Sequence, residues 1–157
     1  MSSLHDSVAL GTARAHVRAN LDGGAPCPCC GQMAKRYRRT LNAPMCRALI
    51  ALVRLSPMRQ WCHVHSLPII QGRHGGGDFA KLRWWNLIEE RAKGEDDTRR
   101  TSGLWRPTPR GAMFAAQCEV VPRYAFSFDG EVTIGGPEIT ISEALGSRWS
   151  WRELMAG

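Results

Sequence analysis

The sequence predicts an α+β fold, with a winged helix-turn-helix core, an N-terminal zinc knuckle and a small C-terminal β-rich appendage. Three observations predict it. In Asp78-Phe79-Ala80-Lys81-Leu82-Arg83-Trp84-Trp85-Asn86, the residues Phe79, Leu82 and Trp85 recur every third position and share one face of a short helix. That helix runs directly into the strand-like Leu87-Ile88-Glu89. A polar stretch over 91–103 follows, and then Gly103-Leu104-Trp105-Arg106-Pro107, which reads as a return strand. Finally, positive charge collects here. The chain carries +7 overall, but residues 35–110 hold sixteen Lys and Arg against six Asp and Glu, a net +10. Residues 1–34 balance and residues 111–157 carry −3.

A chain of 157 residues fits one domain with extensions. Three segments are expected: an arm, helix and linker over 1–26, the knuckle and winged-helix domain over 27–115, and a hairpin with a terminal helix over 116–157. No apolar run reaches the ~18 residues of a membrane span. The start lacks a basic region followed by an apolar one, so a signal peptide is not expected. A cytoplasmic protein follows, and there six cysteines read as metal ligands or buried thiols before disulfides.

Taken in order, residues 1–21 form a weak helix, with Leu4, Val8, Ala15 and Leu21 loosely periodic, and Asp22-Gly23-Gly24-Ala25-Pro26 is a linker. Cys27-Pro28-Cys29-Cys30-Gly31-Gln32 has the spacing of a zinc knuckle. Two residues between thiolates let a tight turn aim both sulfurs at one ion, and the glycine tolerates positive φ at the exit. Cys27 and Cys30 are the expected ligands of a structural zinc, with Cys29 as spacer. For the second half of a four-ligand site, His63 ranks first, then His65 and Cys62; Cys46, His74 and Cys118 are weaker candidates. The alternative is a set of reduced thiols in a turn.

Lys35-Arg36-Tyr37-Arg38-Arg39-Thr40 suits a phosphate grip and equally a solvated strand or helix start. Asn42 reads as the N-cap of a helix whose apolar stripe is Met45, Leu49, Leu52, Val53 and Leu55, ending before Pro57. Trp61–His65 is expected as a strand, Leu67–Gln71 as a poor helix or turn and 72–77 as a glycine-rich connector without the Lys-Ser/Thr ending of a nucleotide loop. After the return strand, Thr108 and Pro109 mark the start of a helix. Val120–Phe128 and Glu131–Ile134 flank Asp129-Gly130 as a hairpin, with a third strand at Ile139–Ile141. A helical turn at Ser142–Gly146 and a terminal element over Trp149–Met155 close the chain.

Two resemblances rest on these residues. The succession of elements through Trp85-Asn86-Leu87-Ile88-Glu89 and Gly103-Leu104-Trp105-Arg106-Pro107-Thr108-Pro109-Arg110-Gly111 resembles winged-helix regulators of the MarR and PadR type over residues 42–115, without their long dimerisation helix. From residue 25 onward the chain also resembles small zinc-knuckle plus winged-helix proteins of tailed phages and prophages. The matching pieces are Cys27–Gln32, Trp61-x-His63-Val64, Lys81-Leu82-Arg83-Trp84-Trp85, Val121-Pro122-Arg123-Tyr124-Ala125 and Ile141-Ser142-Glu143-Ala144-Leu145-Gly146. That second resemblance implies a phage gene expressed in a bacterial host cell and adds weight to His63. It implies no activity.

The expected function is DNA binding of a transcription-regulator type. Lys81, Arg83 and Trp84 would enter the major groove, Arg99 and Arg100 would approach from the wing, and Arg38, Arg39, Arg73 and Arg106 would neutralise phosphates. Arg outnumbers Lys eighteen to three, which suits bidentate phosphate and guanine contacts, although a GC-rich genome produces the same bias. The alternative is a module that binds and modulates a host protein, with Trp84, Trp105 and the C-terminal tryptophans as anchors. An enzyme is not expected. Paired carboxylates, a Ser-His-Asp set and the His-x-Glu partner of a deaminase-type zinc site are all missing from the sequence.

Overall fold

The computed structural model describes residues 8–70 and 76–157. Internal contacts divide the chain into a smaller unit, Met1–Arg39 with Phe126–Thr133, and a larger one, Thr40–Ala125 with Ile134–Gly157. The predicted arm at 1–7 and the calls on Arg73 and His74 lie outside the described residues. Mixed helix and sheet, as predicted, run through the chain.

The smaller unit begins with α1 (Leu10–Ala19), a helix without a side-chain N-cap. Two short strands, β1 (Ala25–Pro26) and β2 (Met33–Ala34), pair antiparallel with Ala25 opposite Ala34 and hold the cysteine turn between them. The basic run becomes a strand, β3 (Tyr37–Thr40), with Tyr37, Arg38 and Arg39 exposed.

The larger unit is built around α2 (Ala43–Leu55). Asn42 is extended, and its side chain accepts a 3.0 Å hydrogen bond from the Met45 amide, the cap its sequence position predicts. Met45, Cys46, Ala48, Leu49, Ile50 and Leu52 are all buried, so most of the helix circumference faces protein. After α2 come β4 (Cys62–His63), 3-10 turns at Val64–Ser66 and Pro68–Ile70, the single helical turn α3 (Gly76–Phe79), and a 3-10 helix over Ala80–Trp85. β5 (Ile88–Glu90) and β6 (Leu104–Pro107) follow, and the three strands form an antiparallel sheet in the order β4–β6–β5.

Two local predictions change here. The strand expected over Trp61–His65 stops at His63, and His65 lies on a 3-10 turn. The helix expected over 78–86 is mostly 3-10. Phe79, Leu82 and Trp85 are fully or almost fully buried, as their spacing predicted. A repeat of strictly three residues, however, matches the 3.0 residues per turn of a 3-10 helix better than the 3.6 of an α-helix. Asn86 ends the element in the left-handed region at φ 57, its amide donating to the Arg83 carbonyl.

Next is α4 (Pro109–Ala115). The Thr108 hydroxyl accepts from the Gly111 amide at 2.9 Å and donates to the Asn86 carbonyl at 2.6 Å, tying the helix start to the end of the 3-10 element. Gly111 is required by crowding: a Cβ there would sit 1.8 Å from the Leu87 carbonyl oxygen. β7 (Val121–Phe128) and β8 (Glu131–Ile139) form the predicted hairpin. Asp129 and Gly130 both have positive φ, as a two-residue type I′ turn needs. The base of this hairpin belongs to the larger unit and its tip to the smaller. β8 runs unbroken to Ile139, so the separate third strand is absent, and Ile141 instead opens α5 (Ile141–Leu145) behind a Thr140–Glu143 capping box.

The terminal helix α6 (Trp151–Ala156) completes the chain. The C-terminal residues are not the separate appendage predicted from their acidic composition. α5 and α6 pack on α2, the Trp151 indole donates to the Ala115 carbonyl at 2.6 Å, and the Arg47 guanidinium lies 3.6 Å from the centre of the Trp149 ring. Apolar residues in 139–154 therefore complete the core that α2 begins, and local charge is a poor guide to where a core ends.

Candidate functional site

The basic residues singled out in the sequence do not form one uniform surface. Arg38 and Arg39 are exposed on β3 in the smaller unit. The remaining described candidates belong to the larger unit. Arg83 is exposed on the 3-10 helix and Arg100 on the segment linking β5 to β6.

The other three cations are held by carboxylates. Lys81 was expected to point outward, but its Nζ lies 2.8 Å from Asp78. Arg99 makes a bidentate contact with Asp97, through Nε at 2.9 Å and Nη2 at 2.7 Å. That pair holds the Asp97 carboxyl well below its ordinary value, at about 2, chiefly through the Arg99 side-chain hydrogen bonds. Arg106 donates to Glu89 at 2.5 Å, directly across the β5–β6 ladder, and stacks 4.2 Å from the centre of the Trp61 ring. Glu89 also accepts from Arg59 at 3.0 Å, and Arg59 donates from Nε to the Pro107 carbonyl at 3.1 Å. Arg59 is the residue sequence reasoning missed. Its role depends on a left-handed backbone, φ 58, in a non-glycine residue, which no sequence pattern signals.

The aromatic anchors also change meaning. Trp105 is 6% exposed and meets Phe79 edge to face with centroids 5.5 Å apart. Trp84 is half-buried, and Trp149 and Trp151 are engaged as described above. Trp105, Trp149 and Trp151 thus pack within the larger unit.

The two histidines stack on one another, ring centroids 5.1 Å apart, with His63 half-buried and His65 exposed. The His63 ring also rests on Gly103, where a Cβ would come within 3.2 Å, and its Nδ1 is buried without a hydrogen-bond partner. The Cys62 thiol donates weakly to the Gln60 carbonyl at 3.6 Å.

Backbone hydrogen bonds close the cysteine turn. The Gly31 amide donates to the Cys27 carbonyl at 2.8 Å, the Cys27 amide to the Gln32 carbonyl at 2.7 Å, and Gly31 exits at φ 73. The Cys27 thiol is held below its ordinary value, first by the Cys30 amide donating to its sulfur, then by the Cys29 amide and the Cys30 thiol. Cys29 is not a bystander. Its thiol interacts with the Cys27 sulfur and is pushed up, first by loss of surrounding water and then by charge on Cys27.

A structural zinc needs four donors. Among the described residues, no group of three or more His, Cys, Asp or Glu side chains is placed to hold a metal ion. Cys27 and Cys30 lie in the smaller unit, and Cys62, His63 and His65 in the larger.

Two cavities open beside the cysteine turn, both within the smaller unit. One, of about 470 Å³, is walled by Leu10, Val17, Leu21, Phe126 and Phe128 and reaches Cys27 and Cys29. The other, of about 590 Å³, reaches Cys27 and Cys30 between Lys35, Tyr37 and Phe128. No helix among the described residues is long and apolar enough to cross a membrane. The chain matches no protein-family model, and neither a curated protein nor a solved structure shows significant similarity to it.

Proposed function

We propose that the larger unit is a winged helix that binds DNA, as a regulator of transcription type. The observation that carries this reading is its topology. A capped helix, α2, is followed by strand β4, two 3-10 turns, the α3–3-10 element, β5, a charged tip over 91–103 and β6, with the sheet ordered β4–β6–β5. In that order the α3–3-10 element comes just before the β5–β6 pair, which supports reading it as a recognition element with a wing beside it.

Within that arrangement, Arg83 is the groove-reading residue and Arg100 the wing contact. Arg99 and Arg106 are structural: each is committed to a carboxylate, so a phosphate would have to compete with a formed ion pair. Lys81 is likewise engaged by Asp78. Residues 40–110 of the larger unit hold twelve Lys and Arg against six Asp and Glu, a net +6 that supplies the long-range attraction.

Fluorescence anisotropy on labelled random-sequence duplex DNA tests the proposal. Affinity should fall by orders of magnitude between about 50 and 200 mM salt, because neutralised phosphates release counterions. Absence of binding at the lower salt would refute the assignment. The competing reading, a module for a host protein, draws on exposed Leu55, Met58 and Met113, of which Met58 is 83% exposed, and no longer on the tryptophans.

A further inference from the structure

We propose that Cys27 and Cys30 form a reversible dithiol–disulfide pair, with Cys27 as the attacking thiol and a small disulfide as its co-reactant. The inference is separate from DNA binding, because both residues lie in the smaller unit. It rests first on the turn itself. β1 and β2 pin the two ends of the Cys27–Gln32 segment, and the Gly31-to-Cys27 hydrogen bond folds Cys30 back toward Cys27.

The second support is access. Cys27 is half-buried and lines both cavities. Cys29 borders one cavity and Cys30 the other. Cys30 is the resolving partner because two intervening residues allow an unstrained bridge. A Cys29–Cys30 bridge would join adjacent residues, and a Cys27–Cys29 bridge would span one.

The exchange balances as follows. The Cys27 thiolate attacks one sulfur of the disulfide RSSR, and RS⁻ leaves and takes a proton. The Cys30 thiol then gives up its proton and attacks the Cys27 sulfur of the mixed disulfide, releasing the second RSH. Two protein thiols are oxidised to one disulfide, and RSSR is reduced to two RSH.

The turn also sits where a covalent bond has most to do. Among the described residues, the buried apolar side chains of this unit are Ala13, Leu21 and Ala25. Small folds with little core commonly depend on disulfides, metals or a partner.

The test uses the full chain equilibrated in oxidised and reduced glutathione, alkylated and mapped by mass spectrometry. The wild type and Cys29→Ser should lose two reactive thiols together, joined as Cys27–Cys30, and recover both in dithiothreitol. Cys30→Ser should stop at a stable glutathione adduct on Cys27. Buried Cys46, whose thiol burial pushes up to about 12, is the unreactive internal standard. A bridge through Cys29, independent oxidation of the two thiols, or a Cys30→Ser adduct on another cysteine would each overturn the proposal. Zinc retained at one equivalent by the wild type in dithiothreitol and lost in Cys27→Ser would also overturn it. Circular dichroism of each variant separates lost chemistry from lost fold.

Discussion

The two units differ most in what they bury. Among the described residues, 24 apolar side chains are buried; 21 lie in the larger unit and three, two of them alanines, in the smaller. The larger unit spends its aromatic residues on packing: Trp85 is fully buried and its indole donates to the Pro122 carbonyl at 2.7 Å, while Trp105 meets Phe79. The smaller unit leaves Leu10, Met33 and Tyr37 exposed and encloses two open cavities instead of a core. A close-packed region holds side chains in fixed places and suits recognition by shape and charge. A loosely packed one leaves reactive groups reachable. That contrast fits the DNA binding proposed for the first and the thiol chemistry proposed for the second.

The sharpest way to break this contrast is to truncate one residue in each unit. Trp85→Ala should cost about 3–5 kcal/mol in urea unfolding, from lost burial, a cavity and the unpaired Pro122 carbonyl. Leu21→Ala should cost about 2 kcal/mol or less, because the surrounding groups are already open to water. Equal losses would mean that the two units are equally well packed.

A smaller effect tests crowding in the larger unit alone. Gly111→Ala forces a methyl group against the Leu87 carbonyl, where backbone must move, and should cost about 3 kcal/mol. A neutral result would show that the junction of α4 with β5 is looser than described.

The smallest effect concerns the segment linking β5 to β6. Asp97 is held down to about 2 by Arg99. A carboxyl depressed in the folded state contributes its stabilisation fully above its ordinary value of 3.8, and loses it as pH falls through about 2. The Asp97 carboxyl carbon, followed by NMR, should therefore titrate near 2 and return toward 3.8 in Arg99→Ala. A wild-type midpoint near the ordinary value would mean that Arg99 is free to meet phosphate.

Much of the larger unit was legible in the sequence because its signals are local. Asn42 and Thr108 cap helices where they were expected to, Asp129-Gly130 makes the expected hairpin, and Phe79, Leu82 and Trp85 form the expected buried face. What was not legible depends on partners distant in sequence. Nothing near Arg106 announces that Glu89 and Trp61 will hold it, and nothing in 139–154 announces that its apolar residues finish the α2 core. The zinc reading illustrates the same limit. The Cys27–Cys30 turn was recognisable from four residues, whereas a second pair of ligands is a statement about tertiary structure.

The proposal that Arg83 and Arg100 form the DNA-binding edge is tested most directly by the Arg83→Ala/Arg100→Ala double variant in the anisotropy assay. Both side chains are exposed, so the urea unfolding curve should match the wild type. Affinity for duplex DNA should fall, and the slope of log K against log salt should become shallower by about 1, from the lost Arg100 phosphate contact. Unchanged affinity and slope in a folded double variant would contradict the assignment of this face.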